Sequence, residues 1–143
     1  MKELSKKYEL TKIYPLINQL RKDLSLKEFL DKFYLAVKTQ NYKLFALEKE
    51  DCFVAACGVT PFNVIYHTNC LYICDFVVDE KERSKGIGQD FLNEIFSWAK
   101  KQGYEEIELS SSFFRQKAHT FYTEKMSFIK TGFVFKKKLN TTV

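Results

Sequence analysis

The run Arg83-Ser84-Lys85-Gly86-Ile87-Gly88 joins an apolar stretch to an amphipathic one. Glycines at such a junction let the backbone approach a ligand and take up positive φ. The first N–H groups of a following helix lack helical partners and, with the dipole, favour an anion. With Arg83 and Lys85 beside them, the run predicts a cradle for a phosphate or pyrophosphate. The two common nucleotide fingerprints fail on residues. A dinucleotide loop requires a glycine where Phe91 stands, and a P-loop requires a Gly-Lys pair that the chain lacks. Two glycines before a helix can also be nothing more than a turn.

Asp75 is the one charge within Leu71 to Val78. A carboxylate inside an apolar strand is costly unless it is paired or used, and a buried one holds a proton more tightly, which suits a general base. Three roles stay open for Asp75: base, contact for a substrate's positive charge, or a structural role capping a bulge. Cys74 beside it could be a nucleophile, but nothing in the sequence supplies a partner, so an inert thiol is the simpler reading. Tyr122 follows Phe121 on an amphipathic stretch, and its spacing alone favours a packed side chain. His119 could face a cofactor, a substrate or solvent. His67 falls in the 62–70 hairpin region, where an exposed loop histidine is expected.

The elements that position these residues follow from periodicity. Residues 7–10 read as a short strand and 12–21 as a weak helix with Pro15 in its first turn. Ser25-Leu26-Lys27-Glu28 is a capping box opening a helix to about Gln40, with Phe29, Leu30, Phe33 and Ala36/Val37 on one face. Tyr42 to Glu48 reads as a strand and Glu50-Asp51 as a turn. Cys52 to Val59 and Val64 to Tyr66 are β-rich runs on either side of Pro61-Phe62-Asn63. Leu71 to Val78, apolar at both parities, predicts a strand covered on both faces. A loop over Asp79 to Lys85 leads to a helix from Gly86 to about Lys101, striped by Phe91, Leu92, Ile95, Phe96 and Ala99, with Gly103 past its end. Glu106 to Leu109 is a short strand and 115–126 a helix. Phe128-Ile129 and Phe133 to Leu139 read as closing edge strands. The strand–loop–helix–strand unit at 71–109 predicts a right-handed crossover and a mixed α/β fold.

The chain has 143 residues, which suits a single domain over 1–143. With 45% hydrophobic and 29% charged residues it can bury a core, which excludes global disorder. The net charge of +5 permits acidic partners without requiring nucleic acid, because the basic residues are dispersed and most aromatics sit at core spacing. Cys52, Cys57, Cys70 and Cys74 lack C-x-x-C spacing and read as buried free thiols, with no metal expected. No apolar stretch reaches about 18 residues, so no membrane is expected. Met1 to Lys7 lacks the apolar core of a signal peptide, and a cytoplasmic protein is the default.

Two motifs together resemble the GNAT family of N-acetyltransferases. Arg83-Ser84-Lys85-Gly86-Ile87-Gly88, after Val77-Val78-Asp79-Glu80, is similar to that family's Arg/Gln-x-x-Gly-x-Gly/Ala acetyl-CoA loop. Arg115-x-x-Ala118-His119-x-Phe121-Tyr122, followed by Glu124-Lys125-Met126-Ser127-Phe128, resembles its second signature of a small helical residue, an aromatic pair and then Gly-Phe or Gly-Tyr. The resemblance covers about 42–139, and the first 40 residues fit the family's variable N-terminal helices. There are departures: Ser84 and Ser127 stand where glycine is usual, and Arg115 where many members carry asparagine.

The resemblance implies a mostly antiparallel central sheet with one parallel strand pair, 71–78 and 106–111, splayed around acetyl-CoA and flanked by helices. It implies that backbone groups of Phe76, Val77 and Val78 pair with the pantetheine arm and acetyl carbonyl. It gives the pyrophosphate to Arg83, Ser84, Lys85, Gly86, Ile87, Gly88 and Gln89, leaves room for the arm at Ala118, and puts Arg115 near the cofactor. Tyr122 becomes the acid that protonates the departing thiolate, with Asp75 second among catalytic candidates. Glu28, Phe33 and Tyr34 lie on a helix that walls the acceptor site. The activity implied is acetyl transfer to a primary amine of a small molecule by direct attack, with a homodimer as an option. The same scaffold would also serve a protein or peptide acetyltransferase, or a non-catalytic CoA-binding module.

Overall fold

The described residues, 1–140 of a computed structural model, form two compact units, Met1–Leu109 and a second from Ser110 onward. The first opens with strand β1 (Lys2–Leu4) and helices α1 (Lys7–Leu20) and α2 (Leu26–Gln40). α1 corrects the reading of 7–10 as a strand and of Pro15 as a first-turn residue. Leu10, Ile13, Leu16 and Ile17 make a buried stripe at helical spacing, with Pro15 inside the helix. An interior proline costs about 3 kcal/mol. Burying a large aliphatic side chain returns roughly 1.5–3 kcal/mol, so the stripe outweighs it. α2 takes the Ser25 cap its sequence predicts, as the Ser25 half of a capping box: the Glu28 N–H donates to Ser25 Oγ at 3.2 Å.

Four further strands follow: β2 (Lys43–Lys49), β3 (Cys52–Pro61), β4 (Cys70–Val78) and β5 (Glu106–Leu109). The sheet order is β1-β2-β3-β4-β5. All neighbours are antiparallel except β4 and β5, which run parallel and are joined by helix α3 (Ile87–Lys101). Glu50 and Asp51, at φ 51 and 61, make the tight β2–β3 turn. Val64 to Tyr66 is a loop and not a strand. The Phe62 N–H closes the β3–β4 ladder on the Cys70 carbonyl at 2.9 Å, which leaves Ile65 and Tyr66 beyond it and exposed.

One face of the sheet packs Leu44, Ala46, Phe53, Ala56 and Val77 against α1 and α2. On the other, Phe45 meets Trp98 of α3 at 4.8 Å and Phe76 stacks on Phe91 at 6.2 Å between centroids. Val77 and Phe76 therefore give β4 cover on both faces, as its apolar run predicts. α3 ends as its sequence predicts. Gly103 at φ 90 lets its N–H reach the Lys100 carbonyl and the Tyr104 N–H reach that of Ala99, both at 3.0 Å.

The second unit holds helix α4 (Gln116–Thr120), which widens into a π turn over Phe121–Lys125. The helix read over 115–126 thus forms, with a change of pitch. The closing strands do not form: none of 128–140 lies in a strand, and Phe133, Val134, Phe135 and Leu139 are exposed. β-propensity reports fitness for a pleated, half-covered surface, and without a partner ladder the pattern alone does not make a strand.

Candidate active site

β4 carries an irregularity at its centre. Gly58 of β3 pairs with Asp75 and Val59 with Ile73, so Cys74 is the extra residue of a bulge. Bulges bend a strand and increase its twist. The parallel ladder with β5 runs from Cys70↔Glu106 to Ile73↔Leu109 and stops one residue before that bulge. β4 continues to Val78 while β5 ends at Leu109, which shortens the strand expected over 106–111. The serines at 110–112 bond their own backbone readily and extend a ladder poorly.

The loop after β4 is held by its neighbours. Gln19 of α1 donates to Asp79 Oδ1 at 3.3 Å and accepts from the Glu80 N–H at 3.1 Å. Asp79 caps a single 3-10 turn over Glu80–Glu82 through the Lys81 N–H at 3.1 Å. Arg83 Nε donates to the Val78 carbonyl at 3.2 Å, and Lys85 pairs with Glu82 at 3.1 Å. Ser84 and Gly86 both take positive φ, 66 and 81. That explains why glycine suits position 84, and it turns the following N–H groups to one side. α3's first internal bond runs from the Asp90 N–H to the Gly86 carbonyl at 3.1 Å. The N–H groups of Ile87, Gly88 and Gln89 precede it, outside the helical ladder. A donor set of this kind fits a pyrophosphate.

Asp75 is paired. Its Oδ1 accepts from Arg21 at 3.0 Å and its Oδ2 from the Tyr42 hydroxyl at 2.8 Å. Arg21 also donates to the carbonyl of the bulge residue Cys74 at 3.3 Å. Burial, then the charge and hydrogen bond of Asp75, push the Tyr42 phenol well above its ordinary pKa, so it acts as a donor. Burial and the Asp75 charge push the Cys74 thiol up to about 12, in keeping with an inert thiol. Sequence reasoning missed Arg21, Tyr42 and Gly58. A glycine inside a strand signals a bulge or close approach, and Gly58 has both: a Cβ there would meet Tyr42 Cζ at 2.5 Å and Asp75 Oδ2 at 2.8 Å. Arg21 had no such signal.

In the second unit, Tyr122 is buried within the π turn, edge-on to Phe128 at 5.6 Å. The Phe128 N–H donates to the Tyr122 carbonyl at 2.9 Å, a return made possible by Ser127 at φ 60. Here too serine holds a conformation that glycine takes without strain. Ala118 is half-buried and Arg115 exposed at the head of α4. His119 Nε2 lies 2.8 Å from the Ser112 carbonyl. The Ser111 hydroxyl oxygen is buried with no hydrogen-bond partner among the described residues. Two histidine and cysteine readings change. His67 lies between Glu106 and Glu108 and is not a free loop residue, and Cys52 is exposed while Cys57 and Cys70 are buried. Among the described residues no helix is long and apolar enough to cross a membrane.

Comparison with known proteins agrees with this architecture. The fold resembles the aminoglycoside N-acetyltransferase AAC(6')-Iy in complex with a bisubstrate analog, with a TM-score of 0.82 at 12% identity over 98% of this chain and 97% of that one. It resembles the aminoglycoside acetyltransferase meta-AAC0020, from an uncultured soil metagenomic sample and in complex with sisomicin, with a TM-score of 0.80 at 16% identity over 97% and 95%. A protein of Bacillus subtilis (strain 168) described as the uncharacterized N-acetyltransferase YhdJ is 36% identical over 137 residues, 96% of each chain. The model of the acetyltransferase (GNAT) family matches residues 8–128. The bulged β4, its interrupted parallel ladder and the left-handed loop opening α3 are thus the framework of an acyltransferase, and the chain belongs to the acetyltransferase (GNAT) family.

Proposed function

We propose that this protein transfers the acetyl group of acetyl-CoA to a primary amine of a small molecule by direct attack of the amine on the thioester. The observation that carries the reading is the arrest of the β4–β5 ladder at Ile73, beside the bulge at Cys74 and ahead of the Ser84–Gln89 anion cradle. An extended arm fits along β4 from that point, with its phosphates at the N-terminus of α3.

In this reading the backbone of Phe76, Val77 and Val78 aligns the pantetheine arm, and one strand N–H holds charge developing on the acetyl oxygen. The N–H groups of Ser84 to Gln89 take the pyrophosphate. Arg83 and Lys85, bound to Val78 and Glu82, set the loop's shape and charge. Ala118 and Arg115 keep the roles their motif implies, and Tyr122 supplies the proton to the leaving thiolate. Asp75, held by Arg21 and Tyr42, presents negative charge to an acceptor ammonium. Acetyl-CoA itself supplies the activated acyl group.

The test is the thermal midpoint with and without acetyl-CoA, with NADH and ATP as controls. A ligand bound only by the native state, at about 100 times its Kd, stabilises by about 2.7 kcal/mol. A selective shift of several degrees with acetyl-CoA is expected, followed by turnover in a screen of small amines. A folded protein that shows no selective shift overturns the reading.

A further inference from the structure

A second cluster of ligating side chains lies at the N-terminal end of β4, away from the bulge. One imidazole nitrogen of His67, the Sγ of Cys70 and a carboxylate oxygen of Glu106 all lie within 4.8 Å of one another. We propose that His67, Cys70 and Glu106 bind one zinc-class divalent cation, with Glu108 orienting the histidine.

The backbone fixes this arrangement. Cys70 and Glu106 are direct partners across the parallel ladder, and Glu108, two residues on, shares the face of Glu106. His67 stands three residues before Cys70, in the loop that leads into β4. Around a tetrahedral zinc bonded at about 2.0–2.3 Å, ligand atoms stand about 3.3–3.8 Å apart. Small side-chain rotations therefore close the site without moving the strands. The fourth position is left to water.

The histidine is already oriented for the task. Its Nδ1 lies 2.8 Å from Glu106 and its Nε2 2.6 Å from Glu108. An ion between the ring and Glu106 replaces the first contact and leaves Nε2–H on Glu108. That is the carboxylate–histidine–metal arrangement that fixes ring orientation in metal sites. A thiolate, an imidazole and a carboxylate together suit zinc and disfavour magnesium and calcium.

The proton balance sets the pH dependence. The cation must displace the thiol proton as the metal–sulfur bond forms, together with the ring proton wherever His67 is charged. Affinity rises with pH as a result. The bound ion would tie the loop at 62–69 to β5. The cysteine spacing alone gave no sign of it, because the other ligands come from a loop histidine and from a strand 39 residues away.

The test uses the full chain, reduced and stripped with chelator, titrated with Co²⁺. One equivalent should bind, with a thiolate-to-cobalt band in the near ultraviolet and the visible bands of a tetrahedral ion, and Zn²⁺ should bleach both. Cys70→Ser should abolish the near-ultraviolet band. Glu106→Gln, at an exposed position that leaves folding undisturbed, should weaken binding at least tenfold. Glu108→Gln should weaken it about 10–100-fold. Cys52→Ser, at an exposed thiol elsewhere, should change nothing. Failure of the reduced chain to bind one equivalent overturns the proposal. So does a charge-transfer band that survives Cys70→Ser, or an affinity untouched by Glu106→Gln, which decides the matter if Cys70→Ser does not fold.

Discussion

Gly58→Ala tests the account of the bulge most directly. The added methyl group would overlap the Tyr42 hydroxyl and lie 2.5 Å from its Cζ and 2.8 Å from Asp75 Oδ2. Atoms that close must separate. Neither neighbour is a free chain end: the Tyr42 ring packs edge-on against Phe33 at 5.9 Å, and Asp75 is tied to Arg21. Overpacking of this kind costs about 1–3 kcal/mol. Displacing the phenol also removes a hydrogen bond to a charged group, worth about 1.5–3 kcal/mol. The two effects share one movement and overlap, so a total of roughly 2–4 kcal/mol is expected. For a chain of this size that lowers the thermal midpoint by roughly 6–16 °C. Urea unfolding followed by circular dichroism gives the energy, and the slope of the transition reports whether the native state has changed. Tyr42→Phe alone should lose only the hydrogen-bond share. In that background Gly58→Ala should cost less than in the natural sequence, because the nearest obstructing atom is gone. A Gly58→Ala protein within about 0.5 kcal/mol of the parent, the range of a neutral surface change, would refute the close approach and the positioning of Asp75 built on it.

Three further outcomes follow. Tyr122→Phe keeps the ring and its contact with Phe128, so acetyl-CoA binding by thermal shift should hold while kcat falls by about 10²–10⁴, the share of a general acid; equal rates would remove the proton-donating role. Ser84→Gly relieves a left-handed residue at φ 66. Because the backbone cost of about 1–2 kcal/mol is partly offset by glycine's greater freedom in the unfolded chain, a net gain of up to about 1 kcal/mol is expected in urea unfolding, and a loss would contradict it. Cys74, with its thiol near 12 against an ordinary 9.0, should hold about a thousandfold less thiolate than an unperturbed cysteine below pH 9. Mass spectrometry after iodoacetamide treatment at pH 8 should therefore find Cys52 labelled long before Cys74, with the Cys74 rate still climbing above pH 10.

Much of the first unit was legible because its signals are local. The Ser25 cap, the tight turn at Glu50-Asp51 and the α3 stripe ending at Gly103 each depend on residues within a few positions, and each forms. The misreadings are those in which a distant partner decides. Lys7 to Leu10 is helical because Leu10 completes a buried stripe with Ile13 and Ile17. Val64 to Tyr66 has strand-like composition but lies beyond the last β3–β4 ladder bond. Phe133 to Leu139 has the alternation of a strand and no ladder. The two serines at positions where the family usually carries glycine, Ser84 and Ser127, take left-handed conformations.

The sequence by itself determined the glycine loop and the order of strand, loop, helix and strand that puts that loop between β4 and α3. Glycine spacing, caps and helical stripes are properties of neighbouring residues, and neighbours are what a sequence displays. Tertiary structure alone decided where the β4–β5 ladder stops, which residues hold Asp75, and that His67 and Cys70 meet Glu106. Arg21, Tyr42 and Gly58 reach Asp75 from three separate stretches of the chain, and His67 meets Glu106 across 39 residues. Such encounters depend on strand register and helix packing, because a contact between distant residues exists only once the whole sheet has fixed both ends of it.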